Sequence, residues 1–261
     1  MKKYPSFSTA VLAGLLAWAG TTVLAQTSPM GDLPTAEQIA KFNPAVIPTP
    51  TRPSQISMHD SFVALAKKGD IDMLFLGDSI TDWWRSNGKE VFDKNYGDKK
   101  VANFGIAGET TQQVLWRLQN GEGAGFQPKL VMLMIGTNNL ASTNTDGQIA
   151  EGVTAVVGEL RKDFPAAKIL LLGIFPRGGA GEMVRVRVAN INQMIAKLND
   201  LDHVFYLDIG NKFLDEKGDF LPDAFLSDRL HPAAKGYAIW ADAVREPLAN
   251  LMKLAQTPSS K

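Results

Sequence analysis

Short apolar runs alternate with amphipathic segments along the chain from residue 55 onward, and this alternation limits the fold more than any other feature. The apolar runs are rich in β-branched and aliphatic residues. They cover residues 71–76, 101–104, 130–135, 169–174 and 204–207. The amphipathic, helix-period segments cover residues 55–68, 111–119, 145–162, 184–198 and 233–254. Such alternation is typical of a parallel sheet covered on both faces, so we expect an α/β fold with a five-stranded parallel sheet in a three-layer α/β/α sandwich.

Polar residues or glycine follow the first three apolar runs, at the points where the strands are predicted to end. Ser79 follows the first run, Gly108 the second and Asn138 the third. Asp228 and His231 lie in the segment before the last helix. In open parallel sheets the ligand crevice lies beyond the carboxyl ends of the strands. We therefore expect these four segments to converge on one edge of the sheet.

Together these residue types supply what an acyl-transfer enzyme needs: a nucleophile, a base, an orienting carboxylate and oxyanion donors. Each one alone has a simpler structural interpretation. Gly77-Asp78-Ser79 fits a turn with a helix N-cap, and Gly108 fits a turn. Asn138 fits a turn, and Asp228 with His231 fits a surface pair. The combination is more specific than its members and predicts a serine esterase.

Several other classes are disfavoured. The chain has three histidines and no cysteine, and neither His59 nor His203 is spaced for metal ligation with His231, so we expect no metal site and no cofactor. The Gly-x-Ser-x-Gly elbow of α/β-hydrolases is absent around Ser79, and no Gly-x-Gly-x-x-Gly dinucleotide motif is present. Lys+Arg 27 balances Asp+Glu 27, so no nucleic-acid partner is expected.

Four sequence blocks resemble those of the SGNH (GDSL-type) hydrolase family. They are the Gly-Asp-Ser segment at 77–79, the segment 103–108 that contains Gly108, the Gly-Thr-Asn-Asn segment at 136–139 and the Ser-Asp-Arg-Leu-His-Pro segment at 227–232. Within the family, segments 103–111, 114–118, 136–139 and 176–178 are similar to the catalytic subunits of platelet-activating-factor acetylhydrolase. The resemblance implies a flavodoxin-like sandwich, with Ser79 as nucleophile, His231 as base and Asp228 as its partner. It also implies an oxyanion hole made of the Ser79 and Gly108 amides and the Asn138 side chain.

Three residues flank the reacting groups in the sequence: Ile80, Thr137 and Leu230. We expect them to bound the acyl pocket, and a small pocket would restrict the acid to acetyl or another short chain. Trp83 and Trp84 follow the nucleophile, and two interpretations stay open for them. Indole faces at the mouth of a site often bind sugar rings, and buried indoles often simply pack beneath a helix.

The N-terminal residues fit an export signal. Lys2 and Lys3 are followed by an apolar stretch at 11–20 and by small residues ending at Ala25. The stretch is shorter than the roughly 20 residues of a membrane-spanning helix, so no stable membrane anchor is expected. We predict a signal peptide at 1–25 and an extended, proline-containing arm at 26–54 with a short helix near 35–42. A hydrolase domain at 55–255 and a frayed tail at 256–261 follow.

The sequence thus predicts an exported serine esterase, periplasmic or secreted, that hydrolyses acetyl esters of a carbohydrate or another small molecule. Two alternatives remain. A lysophospholipase-like or thioesterase-like lipid acylhydrolase would need a long apolar groove, whose length the sequence does not show. A glycan-binding module without activity would be free to lose Ser79, Asn138 or His231, and this chain retains all three.

Overall fold

The computed structural model describes residues 42–256. Within them, five parallel strands form one sheet in the order β2-β1-β3-β4-β5. The strands are β1 (Met73–Gly77), β2 (Val101–Gly105), β3 (Leu130–Met134), β4 (Lys168–Leu172) and β5 (Val204–Leu207). The α-helices are α1 (Ile56–Lys68), α2 (Ser79–Asp82), α3 (Lys89–Tyr96), α4 (Thr111–Arg117), α5 (Asp146–Asp163), α6 (Met183–Ile195) and α7 (Ala234–Leu254). This is the flavodoxin-like strand order, so the predicted sandwich is confirmed.

Successive side chains of each strand point into two separate hydrophobic cores. Leu74 and Leu76 of β1 contribute to the core shared with α1, α4, α5 and α6. Met73 and Phe75 contribute to the core shared with α3 and α7. Because helices cover both faces, every residue of β1 and β3 is buried, which explains why these strands are continuously apolar in sequence.

The sequence pattern missed two helices and misplaced the end of a third. Helices α2 and α3 both lie between β1 and β2. Helix α3 is short, strongly charged and buries only Tyr96, so it shows no apolar periodicity. Helix α4 was expected to reach residue 119, but it ends at Arg117 and continues as the π-helical turn Leu118–Glu122. Gly121 in this turn has φ +112°, a conformation that favours glycine.

Residues 43–54 run over α4 and α5 through two short 3₁₀ helices, Pro44–Val46 and Pro53–Gln55. Asn43 accepts a hydrogen bond from the Ala45 N–H (2.8 Å) and donates one to Glu151 Oε2 (2.8 Å). The Ala45 carbonyl accepts a hydrogen bond from Thr111 Oγ1 (2.7 Å). These residues are the described part of the predicted arm. The signal peptide, the helix expected near 35–42 except its last residue, and the tail beyond residue 256 lie outside the described residues.

None of the helices in residues 42–256 is long and apolar enough to cross a membrane.

Candidate active site

A cleft opens at the carboxyl edge of the sheet, where the polar segments after β1, β2 and β3 meet the segment before α7. Its lining residues come from five parts of the chain, including the N-terminal arm. They are Arg52, Ser54, Gln55, Ser79, Trp83, Ala107, Gly108, Asn138 and His231. The expected convergence of four distant segments on one edge is therefore found, and the arm adds a fifth.

Ser79 is the first residue of α2, immediately after β1. Strand and helix are joined by a tight turn at Gly77, where a Cβ atom would lie only 2.3 Å from the Met134 carbonyl oxygen of the neighbouring strand. Asp78 caps the helix, because its Oδ1 accepts a hydrogen bond from the Ile80 N–H (3.0 Å). The turn thus places the Ser79 hydroxyl in the cleft on a rigid base.

Ser79, His231 and Asp228 form a continuous hydrogen-bonded chain. Ser79 Oγ lies 2.9 Å from His231 Nε2, and His231 Nδ1 lies 2.6 Å from Asp228 Oδ2. The other Asp228 oxygen accepts hydrogen bonds from the backbone N–H groups of Leu230 and His231, both at 3.0 Å. Burial alone would raise the pKa of Asp228, but these hydrogen bonds outweigh it and lower the pKa. The carboxylate therefore stays ionised beside the imidazole, as in a Ser-His-Asp triad.

Gly108 and Asn138 lie beside Ser79 in the same cleft. Gly108 is exposed and has φ +75°, and no hydrogen bond within residues 42–256 uses its N–H. Asn138 begins a 3₁₀ helix after β3, and its Nδ2 donates one hydrogen bond to the Glu109 carbonyl (2.8 Å). A side-chain amide carries two N–H donors, so the second is available to a ligand. Two donors can thus face an oxygen bound near Ser79.

Trp83 and Trp84, for which two interpretations were open, have different environments. The Trp83 ring stacks on the His231 imidazole with centroids 4.0 Å apart and planes inclined by 24°. It also lines the cleft. Trp84 is fully buried and packs against Tyr237 and Trp240. Plain packing therefore describes Trp84, whereas Trp83 belongs to the site.

Two ionisable residues, Asp78 and Arg177, lie beneath the site, and the sequence analysis gave neither of them a role in it. Asp78 is buried, its Oδ2 has no hydrogen-bond partner among the described residues, and burial raises its pKa to about 7. Arg177 donates a hydrogen bond to the Thr137 carbonyl (2.8 Å), and its charge acts on both Asp78 and Asp228. Burial lowers the pKa of Arg177, and the two carboxylates oppose this effect. In the sequence, the block that contains Arg177 stands out only through the family resemblance.

A buried network of charges links the loops around the cleft. Arg117 pairs with Glu109 (Nε to Oε2, 2.6 Å) and with Glu122 (Nη1 to Oε2, 2.6 Å), and all three side chains are almost completely buried. Glu122 in turn contacts His59 Nδ1 at 2.8 Å. Thr51 of the arm donates a hydrogen bond to Glu109 Oε1 (2.5 Å). Glu109, whose carbonyl accepts the hydrogen bond from Asn138, is thus held by both Arg117 and Thr51.

The three residues expected in the acyl pocket do not line this cleft. Ile80 is buried in the core formed with α3 and α7, and partly buried Leu230 packs against that core. Thr137 is buried, and its carbonyl and hydroxyl both face Arg177. Their side chains lie behind the reacting groups because the residues adjacent to Ser79, Asn138 and His231 in sequence point towards the core. Their role in acyl selectivity stays a prediction.

Three cleft residues were not expected there: the sequence assigned Arg52 and Ser54 to a surface arm and Gln55 to the start of the first helix. Gln55 Nε2 donates a hydrogen bond to the Ala107 carbonyl (2.9 Å), which anchors the arm beside Gly108. Sequence spacing gave no signal for this contact because the partners lie about fifty residues apart and follow no motif. No group of three His, Cys, Asp or Glu side chains placed to hold a metal ion occurs among residues 42–256.

The chain resembles known proteins both in sequence and in structure. The sequence model of the GDSL-like lipase/acylhydrolase family matches residues 75–239. The chain is 35% identical over 226 residues to platelet-activating factor acetylhydrolase IB subunit alpha2 of Rattus norvegicus, covering 84% of this chain and 95% of that subunit. The family match includes Ser79, Gly108, Asn138, Asp228 and His231.

Two solved structures share the fold at low sequence identity. A GDSL-like lipase from Bacteroides thetaiotaomicron superposes with a TM-score of 0.59 at 17% identity, covering 76% of this chain and 96% of that one. A catalytic mutant of Axe2, an acetylxylan esterase from Geobacillus stearothermophilus, gives a TM-score of 0.55 at 21% identity, covering 68% and 94%. The sequence matches and the fold together show that this chain belongs to the GDSL-like lipase/acylhydrolase family and is a hydrolase of the esterase or acylhydrolase kind.

Proposed function

We propose that the chain is a serine esterase that removes acetyl groups through an acyl-enzyme. Ser79 Oγ attacks the ester carbonyl while His231 Nε2 takes its proton, and Asp228 holds the imidazole in the required tautomer. The Ser79 and Gly108 N–H groups and the Asn138 side chain receive the developing oxyanion. His231 then returns the proton to the leaving alcohol, and it activates the water that releases acetate. The unbroken hydrogen-bonded chain from Ser79 to Asp228 is the observation that carries this proposal.

The lining of the cleft supports a polar alcohol rather than a long hydrocarbon chain. Nine residues line the cleft. Apart from Gly108, only Trp83 and Ala107 among them are apolar. A partly exposed indole among hydroxyl, amide and guanidinium groups is a common setting for a sugar ring. Axe2 is an acetylxylan esterase by name, and the rat relative is an acetylhydrolase by name. Both names point to acetyl as the acid, although platelet-activating factor is a lipid. An acetylated carbohydrate or another small acetylated alcohol fits the side chains that line the cleft.

Export belongs to the same proposal, on the strength of Lys2, Lys3 and the apolar stretch that ends at Ala25. The expected result is a mature protein that begins at Gln26 and is recovered outside the cytoplasm. N-terminal sequencing of the protein from fractionated cells measures this directly. A cytoplasmic protein that keeps Lys2 and Lys3 would contradict export and leave the esterase proposal untouched.

The central test compares the wild type with Ser79→Ala on p-nitrophenyl esters from acetyl to octanoyl. Ser79→Ala should lose essentially all kcat with little change in Tm, because the lost hydroxyl takes no part in core packing. Ser61→Ala is the matched control, since Ser61 is exposed and its hydroxyl bonds, within residues 42–256, only to the Met58 carbonyl. An organophosphate should label Ser79 alone. Retained turnover in Ser79→Ala would refute the assignment of the nucleophile.

The same ester series measures acyl selectivity. We expect acetyl esters to be best and kcat/KM to fall steeply beyond butyryl, because overpacking a closed pocket costs on the order of 1–3 kcal/mol. An open apolar groove would instead gain roughly 0.8 kcal/mol for each added methylene. Leu230 does not line the described cleft, so Leu230→Ala tests the expected acyl pocket directly: a shift of the optimum towards longer acids would support it, and an unchanged optimum would contradict it. A profile that peaks at octanoyl would favour a lipid acylhydrolase over an acetylesterase.

A further inference from the structure

The guanidinium of Arg52 is held beside the oxyanion donor Gly108. A Cβ atom built on Gly108 would lie 2.6 Å from Arg52 Nη2. Arg52 Nε donates a hydrogen bond to Gln55 Oε1 (2.9 Å), and Nη2 donates one to the Ala107 carbonyl. The Ala107 carbonyl also accepts from Gln55 Nε2, so one backbone oxygen fixes both side chains. The cation is therefore fixed in position, although the side chain is exposed.

No carboxylate of the described residues neutralises this cation. Among residues 42–256 no carboxylate forms an ion pair with Arg52, and the acids around the cleft have other partners. Asp82 pairs with Arg85, Glu109 with Arg117, and Asp228 with His231. An arginine has five N–H donors, and two of those in Arg52 are used within the described residues. The remaining three can therefore bind a ligand.

We propose that Arg52 forms an anion subsite, and that the preferred substrates are acetyl esters whose alcohol half carries a carboxylate or a phosphate. A fixed guanidinium with free N–H groups binds such oxyanions by charge-assisted, often bidentate hydrogen bonds. An acetyl group cannot hold a second charge, so the anion must belong to the alcohol. This step rests on the proposed acetylesterase function.

The position of Arg52 explains why a negative charge on the alcohol half should affect which esters are hydrolysed best. Arg52 adjoins Gly108, so an anion that it binds lies within a few ångströms of the scissile carbonyl. Such an anion is a neighbouring substituent on the same sugar or glycerol unit. An O-acetylated uronic acid and an acetylated glycerol phosphate both meet this requirement. A neutral acetylated sugar occupies the same cleft without using the free guanidinium donors.

Two matched pairs of esters test the subsite and separate the two sources of negative charge. The first is an O-acetylated methyl glucuronoside and its carboxymethyl ester, and the second is acetylglycerol phosphate and acetylglycerol. We expect the wild type to prefer the anionic member of at least one pair by about tenfold or more in kcat/KM, the range expected for hydrogen bonds to charged groups. The preference should shrink as salt is raised, because the site is open to solvent.

Arg52→Gln should reduce the anionic-to-neutral ratio to about one, and Arg52→Lys should restore part of it as a point charge without the planar fork. Lys129→Gln is the control, because it removes one positive charge at the opposite edge of the sheet, next to the start of β3. It should leave the ratio unchanged. Thermal unfolding of each variant checks that the fold is intact.

The inference is overturned if the wild type hydrolyses both members of each pair equally, or if Arg52→Gln keeps the preference. It is also overturned if p-nitrophenyl acetate is hydrolysed and none of the four esters is. If the wild type does not hydrolyse p-nitrophenyl acetate either, the proposed function itself is refuted. A preference in the first pair alone identifies a carboxylate, and a preference in the second alone identifies a phosphate.

Discussion

Replacing Asp78 by asparagine should stabilise the protein at neutral and alkaline pH, although Asp78 is next to the nucleophile. The Asp78 side chain is buried, and burial is the main cause that raises its pKa from 3.8 to about 7. The hydrogen bond from the Ile80 N–H to Oδ1 opposes this rise, while Oδ2 has no hydrogen-bond partner among the described residues. Asparagine keeps the Oδ1 acceptor and resembles the protonated acid in shape and charge.

The sign of the effect follows from proton binding in the two states. Well below pH 3.8 the carboxyl is protonated in both the folded and the unfolded state, so it adds no pH dependence. Between about pH 4 and 7 the unfolded chain releases the proton while the folded protein keeps it, so stability falls as pH rises. Well above pH 7 the folded protein bears the full cost of ionising the buried Asp78 carboxyl. A pKa raised from 3.8 to about 7 corresponds to roughly 4 kcal/mol.

Urea unfolding of the wild type and Asp78→Asn between about pH 4.5 and 8.5 measures this cost. The unfolding free energy of the variant should exceed that of the wild type by only about 1 kcal/mol at the acid end and by about 4 kcal/mol at the alkaline end. Asp163, whose pKa burial raises to about 6, contributes equally to both proteins and cancels in the difference. Asp98→Asn, at a fully exposed carboxylate, is the control and should give no such rise. A difference that does not grow with pH would refute the reasoning.

Two further changes test the site itself. Asn138→Ala should lower kcat by roughly 10²–10³-fold with little change in KM, because the amide acts mainly on the transition state, and steady-state kinetics separate the two constants. A change confined to KM would mean ground-state binding instead. Trp83→Leu should lower kcat about 2- to 5-fold, because the indole face no longer stabilises the His231 imidazolium that forms during the reaction. Trp83→Phe should keep most of the rate, and equal losses in both variants would show that the stack has only a packing role.

The sheet is predictable from the sequence because its signal is local. Each strand carries its own apolar run, and Ser79, Gly108 and Asn138 follow three of those runs, which is enough to place them at one edge of the predicted sheet. Helix α3 is not predictable in this way, since it buries one residue and shows no period. Its position depends on packing against α7, which is distant in sequence.

The candidate site is predictable only where a motif accompanies the chemistry. Ser79, Asp228 and His231 lie in short blocks with recognisable residue types, and the structure places them within hydrogen-bond distance. Arg52 lies in no such block and reaches the cleft only because the arm folds back over α4. The acyl-pocket residues were inferred from adjacency in sequence. Adjacency is a weak guide in tight turns, where the neighbour of a cleft residue such as Ser79 points into the core.

The buried network around Arg117 is better explained by geometry than by stability. Burying an ion pair costs desolvation that its Coulomb attraction often fails to exceed, so such a pair is weak support for stability. Arg117 Nη1 also donates a hydrogen bond to the Phe104 carbonyl (3.0 Å), and Nη2 contacts the Gly77 carbonyl (3.4 Å), at the ends of β2 and β1. The same guanidinium pairs with Glu109, whose carbonyl accepts the hydrogen bond from Asn138. One buried cation therefore fixes the strand end before Ser79 relative to the loop of Glu109, whose carbonyl orients the Asn138 side chain.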